Sequence, residues 1–465
     1  MDFNNAPRYD LLEEKWAPVL NHDSLPDIEG DYKKKVTAVL LENQENAMSL
    51  NEVSNNAAGA SGLSATDTTT MAGYDPVLMS LVRRAMPNLV AYDIAGVQPM
   101  SAPTGLIFAM RAKYTTQGGT EALFDEADAR FSATGGAFTA DPGLSSDPFP
   151  GTTKDAGVIG AGGDVSATLT TLYGADFDGM DRNTAEDLGA SGRAFREMAF
   201  SIERTSVTAK TRALKAEYTT ELAQDLRAIH GLDAETELAN ILTAEILTEI
   251  NRDVMRAIYF GAKLGCQQTD LLNDGRYNLA GDSDGRWSAE RFRGLMYQIE
   301  REANVIAKQT RRGKGNFLIC SSDVASALAM GGFLNISPAL NQSLAVDDTG
   351  STYAGLLNGK MKVYIDPYSQ ENVNFACVGY RGSNPYDAGM FYCPYVPLQM
   401  VRAVGEDTFQ PKIGFKTRYG MVNNPFVSAA NLGGGSKSDP SSSAAKRANQ
   451  YYRIFLVDNI HGNGS

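Results

Sequence analysis

Histidine is scarce in this chain, with three in 465 residues. His22, His230 and His461 stand far apart. So few imidazoles leave little material for a hydrolase or a metal enzyme, where His is the usual base and ligand. Cysteine is as sparse. Cys266, Cys320, Cys377 and Cys393 have no metal spacing, which points to free, buried thiols in a reducing cytoplasm. Cys377 and Cys393 could face each other across strands, but core thiols are the default reading. No run of about 18 apolar residues is present, so no membrane span is read. The start, Met1–Trp16, lacks a basic stretch and an apolar stretch and does not read as a secretory signal. Positive charge is short as well: 42 Lys and Arg against 55 Asp and Glu leave −13. That balance argues against nucleic acid as a primary ligand, though not against a protein that surrounds DNA without gripping it.

The chain is 43% hydrophobic with 45 Gly and 18 Pro, enough for a large core in two or three subdomains. Its longest uninterrupted helical pattern runs from Asp233 to Leu264. Asp233 is placed as N-cap, and Glu235 and Glu237 put negative charge on the first turn. Leu238, Leu242, Ile246, Ile250, Val254 and Ile258 recur every four residues, with Ile241 and Leu247 widening the stripe. About 30 residues at ~1.5 Å rise make a rod of roughly 45 Å, long enough to act as a spine. The stripe is expected to pack on the chain's own sheet.

Residues 1–52 stand apart. Asp10–Trp16 and Asp31–Asn46 are short amphipathic pieces, the second with Val36, Val39 and Leu40 on one side. The segment holds eleven acidic and five basic residues, a formal −6 of the −13. Such helices cannot bury a core alone; they need a partner or are temporary. Residues 53–72 are small and polar and read as a tether. Leu50-Asn51-Glu52 falls at the expected junction of helix and tether, where proteases cut.

Asp75-Pro76 opens a helix with Val77, Leu78, Leu81, Val82 and Ala85 on one face. Leu106, Phe108 and Met110 alternate in a strand over 105–114. Residues 115–195, rich in Gly, Ala, Thr, Ser and Asp, read as a long excursion. A second alternating run, Met198, Phe200 and Ile202 through Val207, pairs with the first. A two-stranded arm of this kind is marginal alone, and its apolar face wants a neighbour. Further on, Ser288–Thr310 forms an amphipathic helix, Phe317–Cys320 a buried strand, and Ser322 caps a helix over Val324–Met330. Strand signals fill 360–426. After a Gly/Ser linker, Tyr451–Val457 returns as an expected edge strand.

Several stretches invite a sharper reading than they support. Gly160-Ala161-Gly162-Gly163 lacks the Lys-Ser/Thr ending of a phosphate loop. Gly59-Ala60-Ser61-Gly62 and Gly189-Ala190-Ser191-Gly192 lack nucleophile-elbow spacing. The basic run Arg311–Gly315 reads as a solvated helix end, with an inter-subunit contact as the rival. His230 beside Gly231 reads as a helix C-cap. No constellation supports an enzyme: no catalytic, cofactor or metal residues are assigned.

Four stretches, in order along the chain, resemble the major capsid proteins of T-even-like tailed bacteriophages. They are Val82–Gly105 (VRRAMPNLVAYDIAGVQPMSAPTG), Ala209–Val254 (AKTRALKAEYTTELAQDLRAIHGLDAETEL through EINRDV), Gln309–Val324 (QTRRGKGNFLICSSDV) and Gly414–Phe426 (GFKTRYGMVNNPF). The resemblance spans about Val36 to Phe426 plus the last strand. The excursion at 115–195 is shorter than that family's insertion. The resemblance implies an α+β fold of the tailed-phage capsid (HK97) type. Its parts are an N-terminal arm, an extended two-stranded loop, a peripheral domain on a long spine helix, and an axial α/β domain. The implied division is a cleavable acidic segment 1–52, an arm 53–95, and an extended loop 96–216 with an insertion at about 115–195. A peripheral domain 217–264, an axial domain 265–400, and a return to the peripheral domain at 401–465 complete it.

That family also matures by proteolysis after Glu in a Leu/Ile-x-Glu pattern, which Leu50-Asn51-Glu52 fits. Cleavage between Glu52 and Val53 is therefore implied. Leu11-Leu12-Glu13 and Leu40-Leu41-Glu42 match too, but inside expected helices. The implied function is that of a non-enzymatic coat subunit. It assembles mainly as hexamers in an icosahedral head in the host cytoplasm and encloses dsDNA without specific binding. Vertex, portal, scaffold and prohead protease proteins are implied partners, with decoration proteins a further possibility; a cofactor and a membrane are not. Two alternatives share the fold: a pentameric vertex paralogue and a non-viral nanocompartment shell. Copy number per virion separates the first, and a missing N-terminal segment the second.

Overall fold

The computed structural model describes residues 6–22, 28, 30–57, 82–83, 86, 89–119, 122, 131–132, 182–189, 195–268, 274–283, 287–335, 352–370, 373–384, 386–405, 410–424 and 446–460. The start of the helix expected from Asp75, most of the excursion 115–195 and the Gly160–Gly163 run lie outside them. The chain forms two compact units, residues 1–107 with 205–465, and residues 108–204. Helix and strand both contribute, so the class is α+β as expected.

In chain order, α1 (Ala6–Leu20) and α2 (Asp31–Ala57) precede a one-turn α3 (Ala91–Ile94). β1 (Gly96–Val97), β2 (Thr104–Tyr114), α4 (Arg182–Glu186), β3 (Met198–Thr208) and β4 (Lys210–Glu217) come after it. Next are α5 (Thr220–His230), α6 (Ala234–Gly261), β5 (Ala262–Leu264), β6 (Arg276–Asn278), α7 (Ser288–Thr310) and β7 (Phe317–Cys320). The chain closes with α8 (Ser322–Met330), β8 (Leu334–Asn335), β9 (Thr352–Leu357), β10 (Met361–Ile365), β11 (Phe375–Gly379), β12 (Met390–Val404), β13 (Pro411–Asn423) and β14 (Asn449–Asp458).

β2 and β3 pair in a two-stranded sheet, as their alternation predicts. A four-stranded sheet runs β1-β12-β13-β4, with β1 parallel to β12 and the other pairs antiparallel. The sequence suggests two strands between Gly389 and Val404, but they are one. Its register slips after Pro394 and again after Val396, around two prolines that cannot donate to the ladder. The second sheet runs β5-β14-β11-β7-β10-β9-β8, with β6 also on β14. β14 is antiparallel to β11 and parallel to β5 and β6. It is thus an interior strand, not the edge expected. Tyr451, Tyr452, Phe455 and Val457 are all buried, a near-continuous apolar run of the kind that wants neighbours on every side.

The rod of the sequence is α6, closed three residues early because Ala262–Leu264 pair with β14 as β5. Asp233 sits at the N-cap, but its carboxylate accepts from the Thr236 hydroxyl at 2.8 Å and makes no backbone cap bond. Ile246, Leu247, Ile250, Val254, Met255 and Ile258 are buried, and the helix packs on β4, β13 and β14 of its own chain. The N-terminal half is less covered, and Ile241 points to solvent. The helix therefore buries one stripe over half its length.

Polar locks fix it. Arg212 of β4 binds Glu249 and Asp253 on α6, and the Tyr419 hydroxyl donates to Asp253 at 2.8 Å. Lower down, Arg252 pairs with buried Asp366 at 2.6 Å, and Tyr259 donates to the same carboxylate at 3.0 Å. Across the larger sheet, fully buried Glu302 pairs with Arg453 at 2.8 Å. Glu302 also accepts from the Cys266 backbone N–H, Gln268 and Gln298, each at 2.9 Å. A buried charge is tolerated only with this many partners.

Candidate processing site and assembly surfaces

The processing motif lies on α2. The sequence places Leu50-Asn51-Glu52 at the end of a helix; the helix runs on to Ala57, so Leu50, Asn51, Glu52 and Val53 occupy its last turns. The tether expected from residue 53 starts no earlier than residue 58. Position still separates the three motif copies. Leu40 and Leu41 are buried mid-helix, and Leu11-Leu12-Glu13 lies midway along α1. Helix ends open at far lower cost than helix middles.

The helices before the motif have a partner, and it is the body of the same chain. Trp16 and Leu20 of α1, Ile28 of the turn, and Val36, Ala38, Leu40 and Leu41 of α2 belong to the main core cluster with Tyr92, Ile94, Val97 and Tyr392. α2 packs on β12. Tyr32 donates its hydroxyl to the Val97 carbonyl. Asn43 Nδ2 donates to the carbonyls of Met100 at 2.8 Å and Tyr395 at 3.0 Å. Buried Arg83 donates through Nη2, at 2.6 Å, to the Leu20 carbonyl, one of the acceptors a helix end leaves open. The two helices are joined by Lys15, which pairs with Glu42 at 2.6 Å and Glu45 at 2.7 Å.

This interface also carries a flaw. Gln44 is fully buried and, among the described residues, neither of its amide atoms has a hydrogen-bond partner; Nε2 of buried Gln98 has none there either. Each buried orphan costs about 1–3 kcal/mol. Nothing in the sequence marked Tyr32, Asn43 or Arg83 as anchors, because a polar residue bound to a distant carbonyl leaves no periodic signal.

The other candidate surface is the two-stranded arm. Its root is anchored: Ile107 and Val207 share a small core with Met100, Ala388, Phe391, Cys393 and Val422. β13 approaches that root so closely that a Cβ on Gly420 would sit 2.5 Å from Val207 Cγ1. Farther along β3, Met198, Phe200 and Ile202 are exposed.

The basic run ends a helix as expected, but two of its cations are paired within the chain rather than left to solvent. Arg311 closes α7 in the left-handed conformation at φ +50°, Arg312 pairs with Asp387 at 3.2 Å, and Lys314 pairs with Glu300. His230 ends α5, and Gly231 beside it takes the left-handed turn at φ +67°. All four cysteines are buried and free, with Cys377 on β11 and Cys393 on β12 in different sheets. Burial pushes Cys320, Cys377 and Cys393 up to about 12. Among the described residues no three His, Cys, Asp or Glu side chains cluster as metal ligands.

A family model for "Major capsid protein Gp23" matches residues 71–457. The major capsid protein of Serratia phage KSP90 is 37% identical over 466 residues, covering 97% of this chain and 98% of that protein. The major capsid protein of Enterobacteria phage T4 is 35% identical over 517 residues, covering 97% and 98%. The chain belongs to the Gp23 family of major capsid proteins. The resemblance seen in the four sequence stretches therefore holds, and the fold is that of a tailed-phage capsid subunit. The capsid vertex protein of Enterobacteria phage T4 is a more distant relative, 27% identical over 260 residues and covering 54% of this chain and 58% of that protein. Members of the Gp23 family build the phage capsid, so the surfaces of this subunit are to be read as contacts in a shell.

Proposed function

We propose that this capsid subunit assembles mainly as hexamers into an icosahedral head that encloses dsDNA, and that it matures by cleavage between Glu52 and Val53. The observation carrying the assembly reading is the exposed β3 ladder, Met198, Phe200 and Ile202, on an arm that one subunit leaves uncovered. In this reading residues 53–95 serve as the N-terminal arm and 96–216 as the extended loop, with an insertion at about 115–195. Residues 217–264 form the peripheral domain, 265–400 the axial domain, and 401–465 the return. Assembly takes place in the host cytoplasm with scaffold, portal, vertex and prohead protease proteins as partners, and decoration proteins can add to the outer face.

The acidic N-terminal segment faces the scaffold. Its loss takes a formal −6 per subunit from the inner face and lowers repulsion toward incoming DNA. Negative-stain microscopy of the expressed protein tests the lattice: hexagonal tubes or shells are expected, and a stable monodisperse monomer rejects it. The intact mass of the subunit from mature heads tests the cut, since an N-terminus other than Val53 rejects that bond. Copies per virion separate the hexamer-forming subunit from a vertex protein.

A further inference from the structure

We propose that the body of the subunit is a binding site for its own N-terminal peptide, and that residues 1–52 remain bound after the chain is cut. The proposal rests on the processing reading at Glu52 but concerns the fate of the peptide once the bond is broken. Every anchor described for the two helices joins a residue upstream of the scissile bond to one downstream of it. Tyr32 holds the Val97 carbonyl, Asn43 holds Met100 and Tyr395, and Arg83 reaches back to Leu20. Trp16, Leu20, Val36, Ala38, Leu40 and Leu41 share one core with Tyr92, Ile94 and Val97. Breaking the bond after Glu52 removes none of these contacts. What the cut removes is the tether, and with it the high effective concentration that re-seats the hairpin after each opening.

The site and its occupant are matched in shape and polarity. α2 lies on β12, its buried apolar residues join the body's core, and side-chain donors meet backbone carbonyls across the boundary in both directions. The α1–α2 hairpin thus grips the segment Val97–Met100, which leads directly into the arm strand β2. Cleavage and release are two steps, and release waits for the 97–100 segment to move or for the peptide to be cut again. The second motif copy at Leu40-Leu41-Glu42 is buried while docked and becomes cleavable only once the hairpin lifts.

The test uses the full-length protein with a recognition sequence for a site-specific protease inserted between Glu52 and Val53, so that cutting does not depend on the phage enzyme. After complete cutting, native mass spectrometry and size-exclusion chromatography report whether the peptide stays with the body. Retention of the peptide at micromolar protein is expected. Asn43→Ala with Tyr32→Phe should speed its loss by roughly ten-fold or more while the body's melting curve is kept. Prompt loss from the parent protein overturns the proposal, as does an unchanged loss rate in the double variant. An N-terminus other than Val53 in mature heads rejects the processing reading alone.

Discussion

Ile246, Ile250, Val254 and Ile258 on α6 are 0 or 1% exposed, whereas Met198, Phe200 and Ile202 on β3 are 56, 57 and 61% exposed. Both are periodic apolar ladders, one at helical and one at strand spacing. The helix finds β4, β13 and β14 of its own chain. At about 1.5–3 kcal/mol per buried side chain, its four residues supply on the order of 6–12 kcal/mol before entropy is counted. The strand ladder, three residues a little over half exposed, leaves on the order of 3–5 kcal/mol unclaimed in a single subunit. In a capsid subunit the first ladder is an investment in folding and the second is available for neighbours. Periodicity alone does not separate the two; what separates them is whether other elements of the chain come back to cover the face.

The sharpest way to break the comparison is to place a charge on each kind of position. Ile250→Asp should cost more than about 4 kcal/mol, because an unpaired carboxylate would lie in a fully buried site, and should abolish soluble protein. Ile241→Asp, on the uncovered side of the same helix, should shift a thermal melt by no more than about 0.5 kcal/mol. Equal damage from both would mean that α6 is covered all round. Next in size is Phe200→Ser with Ile202→Ser. The isolated subunit should melt within a few degrees of the parent, while microscopy should find no tubes or shells. Assembly at parental yield would move the lattice contact elsewhere.

Smaller still is Gln44→Leu, which replaces two orphaned amide atoms with apolar ones. It should stabilise the docked hairpin by about 1 kcal/mol in denaturant unfolding, and a loss of stability would mean that Gln44 has a partner. The smallest effect concerns the thiols. Cys320, Cys377 and Cys393 are raised by burial from the ordinary 9.0 to about 12, so the folded chain holds protons that the unfolded chain releases. Their contribution to stability is complete below about pH 9 and is lost as pH rises toward about 12. Maleimide at pH 8 should label none of the four cysteines within minutes, and all four in urea; rapid native labelling would contradict the burial.

Much of the architecture was legible in the residues. Ser288–Thr310 and Phe317–Cys320 are helix and strand at the expected bounds because caps, breakers and apolar spacing agree there. The pairing of the two arm strands followed from matched alternation. The errors fall where long-range contacts decide. Nothing local shows that residues 262–264 leave the helix to pair with a strand near residue 450, or that the basic run 311–315 meets Asp387 and Glu300. The motif Leu50–Glu52 was legible as a pattern. Its setting was not, because Val53–Asn56 have poor helix propensity and extend α2 all the same.

The interior position of β14 bears on timing. A ribosome makes this chain from its N-terminus, and the strand that fills the gap between β11 and the β5–β6 side comes after every other described element. Until residues 449–458 have emerged, β11 has one side unpaired, β5 and β6 lack the strand they pair with, and Glu302 lacks Arg453. The spine is likewise missing part of the surface it packs on. A subunit whose residues 449–458 have not emerged is therefore an unfinished building block. The chain's own topology withholds a complete shell component until residues 449–458 have been made.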